Sequence, residues 1–369
     1  MTEKAKRIPG APKKVGLLVG WEDTFPQAFI KRVNEKGEGK VVAEFAKVHA
    51  PKMGEDTGYD VLVDRISHEI EIYKPYLKNA VVNGSYVIND PFWWISDDKF
   101  FDNSMIERLG VAVPKTVVLP PVQANPSTRP ESHRNLMLSK WKEIFDYIKF
   151  PAFLKPYDGG GWKNVYKVNS PEEFFHYYHQ TGRLIMVLQE FIDFDLYIRC
   201  ITVGKDNIMP IKYDPKNRCY VLDHNFMSAE LGAKVVRDAR VINHALGYDM
   251  NSVEFAVRDG IPYAIDFMNP APDMDYYSIT PHYFQWVVEA MSDFVVKVAT
   301  EDRKMAEHYP WAKMLKGLST PVPEMTAAQF AEADAKTAKA EKPAVETGAA
   351  DAREPVLAGK ANGKKSKKK

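Results

Sequence analysis

Between Lys13 and Asn89 short β-branched runs alternate with amphipathic ones, and that order leaves few folds open. Val15 to Val19, Val41 to Val48, Asp60 to Val63 and Tyr86 to Ile88 read as strands, whereas Thr24 to Asn34 and His68 to Leu77 read as helices. Strands separated by helices predict a parallel sheet with covering helices. In such sheets ligands gather beyond the carboxyl ends of the strands. That rule singles out Gly20, Trp21, Glu22 and Asp23, then Arg65 and Ser67, then Asn89 and Asp90 as substrate contacts.

From Ser96 the texture changes. A helical stretch runs to Leu109 and stops at Gly110; Val111 to Leu119, with Pro114, reads as a connector, and Pro120, Pro121, Pro126 and Pro130 mark a loop. Strands are expected at Ala152 to Lys155, Asn164 to Val168, Met186 to Glu190, Tyr197 to Val203, Ile208 to Tyr213, Ser252 to Val257 and Pro262 to Phe267. Helices are expected near Pro171 to Gln180 and Ala229 to Leu246. The fold class is therefore α/β plus α+β, with a flexible stretch over 1–12, a parallel-sheet domain over 13–95 and an antiparallel-rich domain over 96–320. Residues 321–369 read as a disordered Ala/Lys-rich tail that buries too little apolar surface to offset its ordering entropy.

A chain of 369 residues suits two domains, and 45% hydrophobic residues exclude wholesale disorder. Fifty basic residues against forty-nine acidic ones create no general field for nucleic acid or an anionic membrane. For the basic tail a solubilising role is favoured over contact with an anionic polymer. No apolar run approaches the roughly 18 residues that a spanning helix needs, so no membrane partner is expected and the location is read as cytoplasmic. Cys200 and Cys219 form no CxxC pair and are expected as buried, reduced thiols.

Three segments carry chemistry. In Phe150 to Val168 a strand delivers Lys155, and Gly159, Gly160 and Gly161 let backbone N–H groups approach an anion while the lysine adds a point charge. A hairpin turn is the plain alternative. In Leu184 to Gly204 a buried strand ends in Gln189, Glu190, Phe191 and Ile192; such an end offers backbone hydrogen bonds and apolar walls to a ring, or is simply core. In Ser252 to Asn269, Glu254 and Asp266 lie on successive strands joined by Asp259-Gly260, with Asn269 just beyond. Together they supply the hard oxygen ligands that Mg²⁺ prefers. Inward-facing carboxylates need a cation or a basic partner, and the competing reading leaves both in solvent.

The order of these pieces resembles the ATP-grasp superfamily over about Lys13 to Leu318, with a texture most similar to the ribosomal-protein glutamate ligases and glutathione synthetases. The resemblance implies an ATP-grasp fold: a small parallel-sheet domain followed by two α+β subdomains that hold ATP between them. It implies that Lys99, in Asp98 to Phe100 ahead of Glu107 to Thr116, and Lys155 contact phosphate. The glycines would close over the triphosphate, and Gln189 to Ile192 would form the adenine hinge, with Glu190 and Ile192 on the base. Lys212 would be a phosphate-side lysine, Arg199 would hold phosphate or the acyl oxygen, and Glu254, Asp266 and Asn269 would hold Mg²⁺, with Mn²⁺ as a substitute.

The implied activity is an ATP-dependent ligase that activates a carboxylate, of an amino acid or peptide, for attack by an amine or thiol. A homodimer is the family's common assembly. A non-catalytic ATP-binding regulatory or assembly module and an ATP-dependent phosphotransferase are the rival readings. Tyr197 stands where an acidic residue commonly precedes the arginine, and Ser252 where D-alanine ligases place one. Asp266 and Asn269 are three residues apart instead of two, which requires either a bulge or a different asparagine assignment. Asp273 and Asp275 in the following loop would line an acceptor pocket that favours an amine. His176 and His179 read as helix surface, the glycines and lysines after Gly359 as a superficial P-loop mimic, and Phe92, Trp93 and Trp94 as interdomain packing.

Overall fold

A computed structural model of the chain describes residues 10–92, 98–305, 309–315, 326–329 and 331–332. The expectations for 1–9, for Trp93 and Trp94, and for most of the tail fall outside those residues. The first sheet has the order β2-β1-β3-β4, formed by β1 (Lys13–Leu18), β2 (Val41–Phe45), β3 (Val61–Asp64) and β4 (Tyr86–Ile88), all parallel. Its central strands are buried on both faces, as a helix-covered parallel sheet requires. Gly16 is demanded by this packing: a Cβ there would meet the Leu62 Cδ2 at 2.8 Å and the Tyr59 ring at 2.9 Å.

The flanking helices are α1 (Thr24–Gly37) and α2 (Tyr73–Val82); the second starts five residues later than its sequence pattern predicts. Helix α1 has no cap of its own. Its first-turn N–H groups are met by the Asp275 carboxylate, which accepts from Thr24 N at 3.1 Å and Phe25 N at 3.0 Å. This places Asp275 in a capping role instead of lining an acceptor pocket.

Helix α3 (Lys99–Arg108) is capped by Asp98, which accepts from the Phe100 and Phe101 N–H groups and so fixes Lys99 as the first helical residue. The supposed connector that follows holds a strand, β5 (Thr116–Leu119). It joins a second, antiparallel sheet of order β5-β8-β6-β7 with β6 (Ala152–Pro156), β7 (Tyr166–Val168) and β8 (Met186–Glu190). Two helices, α4 (Trp141–Ile148) and α5 (Pro171–Tyr178), cover one face of this sheet through an aromatic core that includes Phe174 and Tyr178. Its other face presents Phe153, Lys155, Lys167, Val187 and Gln189.

The third sheet is antiparallel, of order β11-β10-β9-β12-β13, with β9 (Leu196–Val203), β10 (Asn207–Asp214), β11 (Cys219–Val221), β12 (Met250–Arg258) and β13 (Ile261–Asp266). Helix α6 (Ala229–Leu246) packs on one face, capped by Ser228 and ended by Gly247 in the left-handed region. Helix α7 (Tyr276–Thr300), which the sequence reading leaves unassigned, packs on the other and is interrupted at Thr280-Pro281. Val287 and Met291 of α7 share one core with Phe25, Phe29 and Val33 of α1 and with Ile201, Ile211 and Met250 of the third sheet. Cys200 is buried; Cys219 is exposed, against expectation, because β11 is a short edge strand. Among the described residues no helix is long and apolar enough to cross a membrane.

Candidate active site

Alternation along the third sheet brings Tyr197, Arg199, Tyr213, Tyr220, Glu254 and Asp266 to one face, because Arg199 pairs with Ile211 and Glu254, Tyr213 with Tyr220, and Glu254 with Asp266. The last pairing needs the register shift between Glu254 and Phe255. One residue of β13, Ile265, bulges out and returns Asp266 to the face of Glu254. This bulge precedes Asp266 and does not lie between Asp266 and Asn269, so it does not account for their three-residue spacing.

Lys155 reaches this face from the second sheet. Its Nζ donates to the Ile265 carbonyl at 3.4 Å, at the bulge itself. Burial pushes the Lys155 ammonium below its ordinary pKa; the Asp266 and Glu254 carboxylates act against this and the Lys99 ammonium acts with it. Lys99, Asp266 and Glu254 therefore each lie within electrostatic reach of Lys155, although the four come from different elements. Lys99 is buried, and its Nζ donates to the Gly159 carbonyl at 2.6 Å while its backbone N–H donates to Tyr157. The glycine turn is thereby fastened at its base.

Both oxygens of Glu254 have partners: Arg199 lies at 2.7 Å from Oε1, and the Tyr197 hydroxyl donates to Oε2. Burial pushes the Glu254 carboxyl above its ordinary range and Asp266 adds to it, against the Arg199 guanidinium and the Tyr197 hydroxyl. The guanidinium lies over the Tyr213 ring at 3.8 Å, and its buried Nε has no acceptor among the described residues. Burial pushes the Tyr220 phenol up to about 12. Asp266 has no hydrogen-bond or ion-pair partner among the described residues. Asn269 is exposed; its backbone is tied to β12 through Asn251 and Ser252. Two facing carboxylates, one of them unpartnered, suit a hard divalent cation. No group of three or more His, Cys, Asp or Glu suited to a metal occurs among the described residues, His176 and His179 included.

At the strand end proposed for a ring, Gln189 donates to Thr116 Oγ1, and the Glu190 carboxylate faces Arg258 at 3.4 Å and the Lys115 N–H at 3.3 Å. These side chains brace the turn, and two of its backbone N–H groups are also engaged, Glu190 N by the Lys115 carbonyl at 2.8 Å and Phe191 N by the Pro151 carbonyl at 3.4 Å. Ile192 is buried, its N–H has no described acceptor, and Phe191 and Phe153 stack in tilted contact at 5.8 Å.

Lys212 is not brought to this cluster. It pairs with Ile198, on the opposite face of the third sheet, and its Nζ lies 2.8 Å from Asp223. The parallel-sheet loops are also more occupied than the sequence suggests. A cavity of about 70 Å³ is lined by Gly20, Trp21, Glu22, Arg65 and Asp273 among others. Ser67, however, donates to Asp64, Asn89 braces the backbone of Met250 at 2.8 Å, and Asp90 accepts from the Tyr309 hydroxyl beside the Phe92 ring. Tyr213 and Tyr220, which seat Arg199, escape the sequence reading because β11 is only three residues long.

No family profile and no curated protein matches the chain. Solved structures do. The D-alanine–D-alanine ligase of Bacillus anthracis, crystallised with ATP, superposes with a TM-score of 0.55 at 15% identity, covering 78% of this chain and 97% of that one. A RimK domain ATP-grasp protein of Sphaerobacter thermophilus gives 0.55 at 16% identity, over 77% and 99%. The VanG D-Ala:D-Ser ligase of Enterococcus faecalis gives 0.56 at 14% identity, over 78% and 99%. Three sheets in this order, a lysine–glycine turn facing paired carboxylates and the likeness to these structures identify the chain as one with the ATP-grasp fold.

Proposed function

We propose that the chain is an ATP-dependent ligase that joins a carboxylate, of an amino acid or peptide, to an amine or thiol through an acyl phosphate. On this reading residues 13–95 are the domain that precedes the ATP-grasp unit, and 96–320 are that unit. The observation that carries it is the approach of Lys99, Glu254 and Asp266, from three other elements, to Lys155. Phosphate oxygens would replace the missing counter-charges of the two lysines. The turn at Gly159 to Gly161 would lie over them: a Cβ at Gly160 would meet nothing within 4 Å and its φ is not positive, so neither packing nor the local conformation requires glycine there.

The base would take the Ile192 N–H and the Glu190 carbonyl, beside the Phe153–Phe191 ring pair. Glu254, Asp266 and Asn269 would hold Mg²⁺, which supplies charge neutralisation at the triphosphate. A carboxylate oxygen of the substrate attacks the γ-phosphorus, ADP leaves, and the amine then attacks the acyl carbon, releasing phosphate and a proton. Arg199, with one buried donor unmatched, is the group suited to the acyl phosphate oxygens. Positioning and electrostatics are the whole contribution of the protein.

One observation favours the rival, a nucleotide-binding module without turnover: both oxygens of Glu254 are already engaged by Arg199 and Tyr197. ADP release measured with mixed amino-acid and peptide pools, with mass spectrometry of the products, separates the two. Release that depends on both a carboxylate and an amine is expected. ATP binding with no ADP from any combination would replace the ligase with the module.

A further inference from the structure

Two bulky residues at the tips of separate turns hold the same disfavoured backbone conformation and face each other. Trp162, beside the glycines, has φ 62° and is 61% exposed; Arg218, in the β10–β11 turn of the third sheet, has φ 53°. L side chains rarely adopt this region outside turns. The Arg218 guanidinium carbon lies 5.7 Å from the Trp162 ring centroid, within cation–π range. We propose that Trp162 and Arg218 form a latch that holds the glycine turn against the β10–β11 hairpin and thereby sets how readily that turn opens.

The two sides of the contact differ in stiffness as a latch requires. The hairpin is the fixed side: the Asp214 carboxylate accepts from Lys216 N at 2.9 Å, Asn217 N at 3.1 Å and Asn217 Nδ2 at 2.7 Å. The arm carrying Trp162 is the movable side. It follows Gly159, Gly160 and Gly161, where a Cβ would meet nothing within 4 Å, and it is fastened at its base by Lys99. The same hairpin bears Tyr213 and Tyr220, which seat Arg199. The latch therefore joins the turn above the two lysines to the strands that carry the guanidinium. Trp162 and Arg218 are positioning residues, and their role over a nucleotide rests on the ligase reading.

Lys163 is exposed next to Trp162 and gives trypsin a site inside the turn. Full-length protein is digested with limiting trypsin, and cleavage after Lys163 is followed by mass spectrometry without nucleotide. Arg218→Gln and Trp162→Leu are each expected to speed this cleavage about two- to five-fold, the loss of one exposed cation–π contact. The double variant should be no faster than either single one, Arg218→Lys should recover most of the protection, and Lys216→Gln on the same hairpin should change nothing. An unchanged rate in Arg218→Gln, or additive effects in the double variant, overturns the latch. A second arm adds Mg²⁺ and a non-hydrolysable ATP analogue, which should protect wild type at lower concentration than Arg218→Gln. Equal protection of both also overturns the latch. Absence of any protection in wild type, with the nucleotide-free difference intact, overturns the ligase reading and upholds the latch.

Discussion

The loops of the parallel sheet and the charged cluster where the antiparallel sheets meet are built from the same residue types and differ in how completely each charge is met. Arg65 is buried, and every one of its guanidinium nitrogens has a partner: Nε lies 2.8 Å from Glu22, one terminal nitrogen donates to Glu22 and to the Pro272 carbonyl, and the other faces the sulfurs of Met250 and Met274. Among the described residues Lys155, by contrast, has a single long hydrogen bond, to a backbone carbonyl, and Asp266 nearby has none. Saturated charge braces a fold, whereas unsaturated charge in a cleft is held ready for a ligand. Sequence reasoning places both regions on the same footing, as polar residues at strand ends, and only the partner geometry separates them.

If that distinction is right, the largest stability effect belongs to the saturated region. Arg65→Met should cost about 3–5 kcal/mol in urea unfolding, because it leaves Glu22 without its cation in a mostly buried position. Glu22→Gln in the same chain should recover part of the loss. A single variant within about 1 kcal/mol of wild type, the range of an ordinary surface pair, would erase the contrast.

The unsaturated region should behave in the opposite way. Lys155→Met is expected to lower ADP release about 10²- to 10³-fold, the scale of losing one preorganised electrostatic group. Its unfolding free energy should hold or rise, because burial disfavours the ammonium in the free protein. Full turnover in the variant, or a loss of stability comparable with that of Arg65→Met, would show that Lys155 is a brace as well.

Asp275 tests the brace class through pH. Burial opposes its ionisation, yet hydrogen bonds from Phe25, Asp23 and Thr24 hold its carboxyl below the usual aspartate range. A depressed folded value means stability that is present above the unfolded value of about 4 and is lost as pH falls through the folded one. Asp275→Asn should therefore cost about 1–2 kcal/mol near neutrality, the scale of a lost helix cap. The gap to wild type should be constant down to about pH 5 and close below pH 4. A gap that persists at low pH would assign the loss to packing.

What the sequence makes legible follows from the range of each interaction. Period-two and helical patterns survive in β1, β12, β13 and α6, so the parallel and antiparallel parts and the segments bearing Lys155 and Glu254 are readable locally. Helix α7 is not read, because the pairs Val287–Val288 and Val295–Val296 blur its polar stripe. Strand β5 is hidden by prolines on either side of four residues. The Glu254–Asp266 pairing depends on a single bulged residue, and the seat of Arg199 depends on the register of β9, β10 and β11; both are long-range facts. Asp275 reads as a pocket acid because nothing local announces that it caps a helix 250 residues earlier.

Lys212 is where register and motif order disagree most sharply, and the expected effect is the smallest. Motif order makes it a phosphate lysine; the sheet puts it opposite Ile198, facing away from Arg199 and Glu254, with Asp223 as its partner. Both members of that pair are about one-third exposed, so the contact should contribute no more than about 1 kcal/mol. Lys212→Met should change ADP release less than about three-fold, well short of the loss expected for a preorganised phosphate contact, and leave the unfolding midpoint nearly unmoved. A loss as large as that of Lys155→Met would mean that β10 turns this lysine toward the cleft when nucleotide binds, and that charge saturation in the free protein is a poor guide to which groups a ligand recruits.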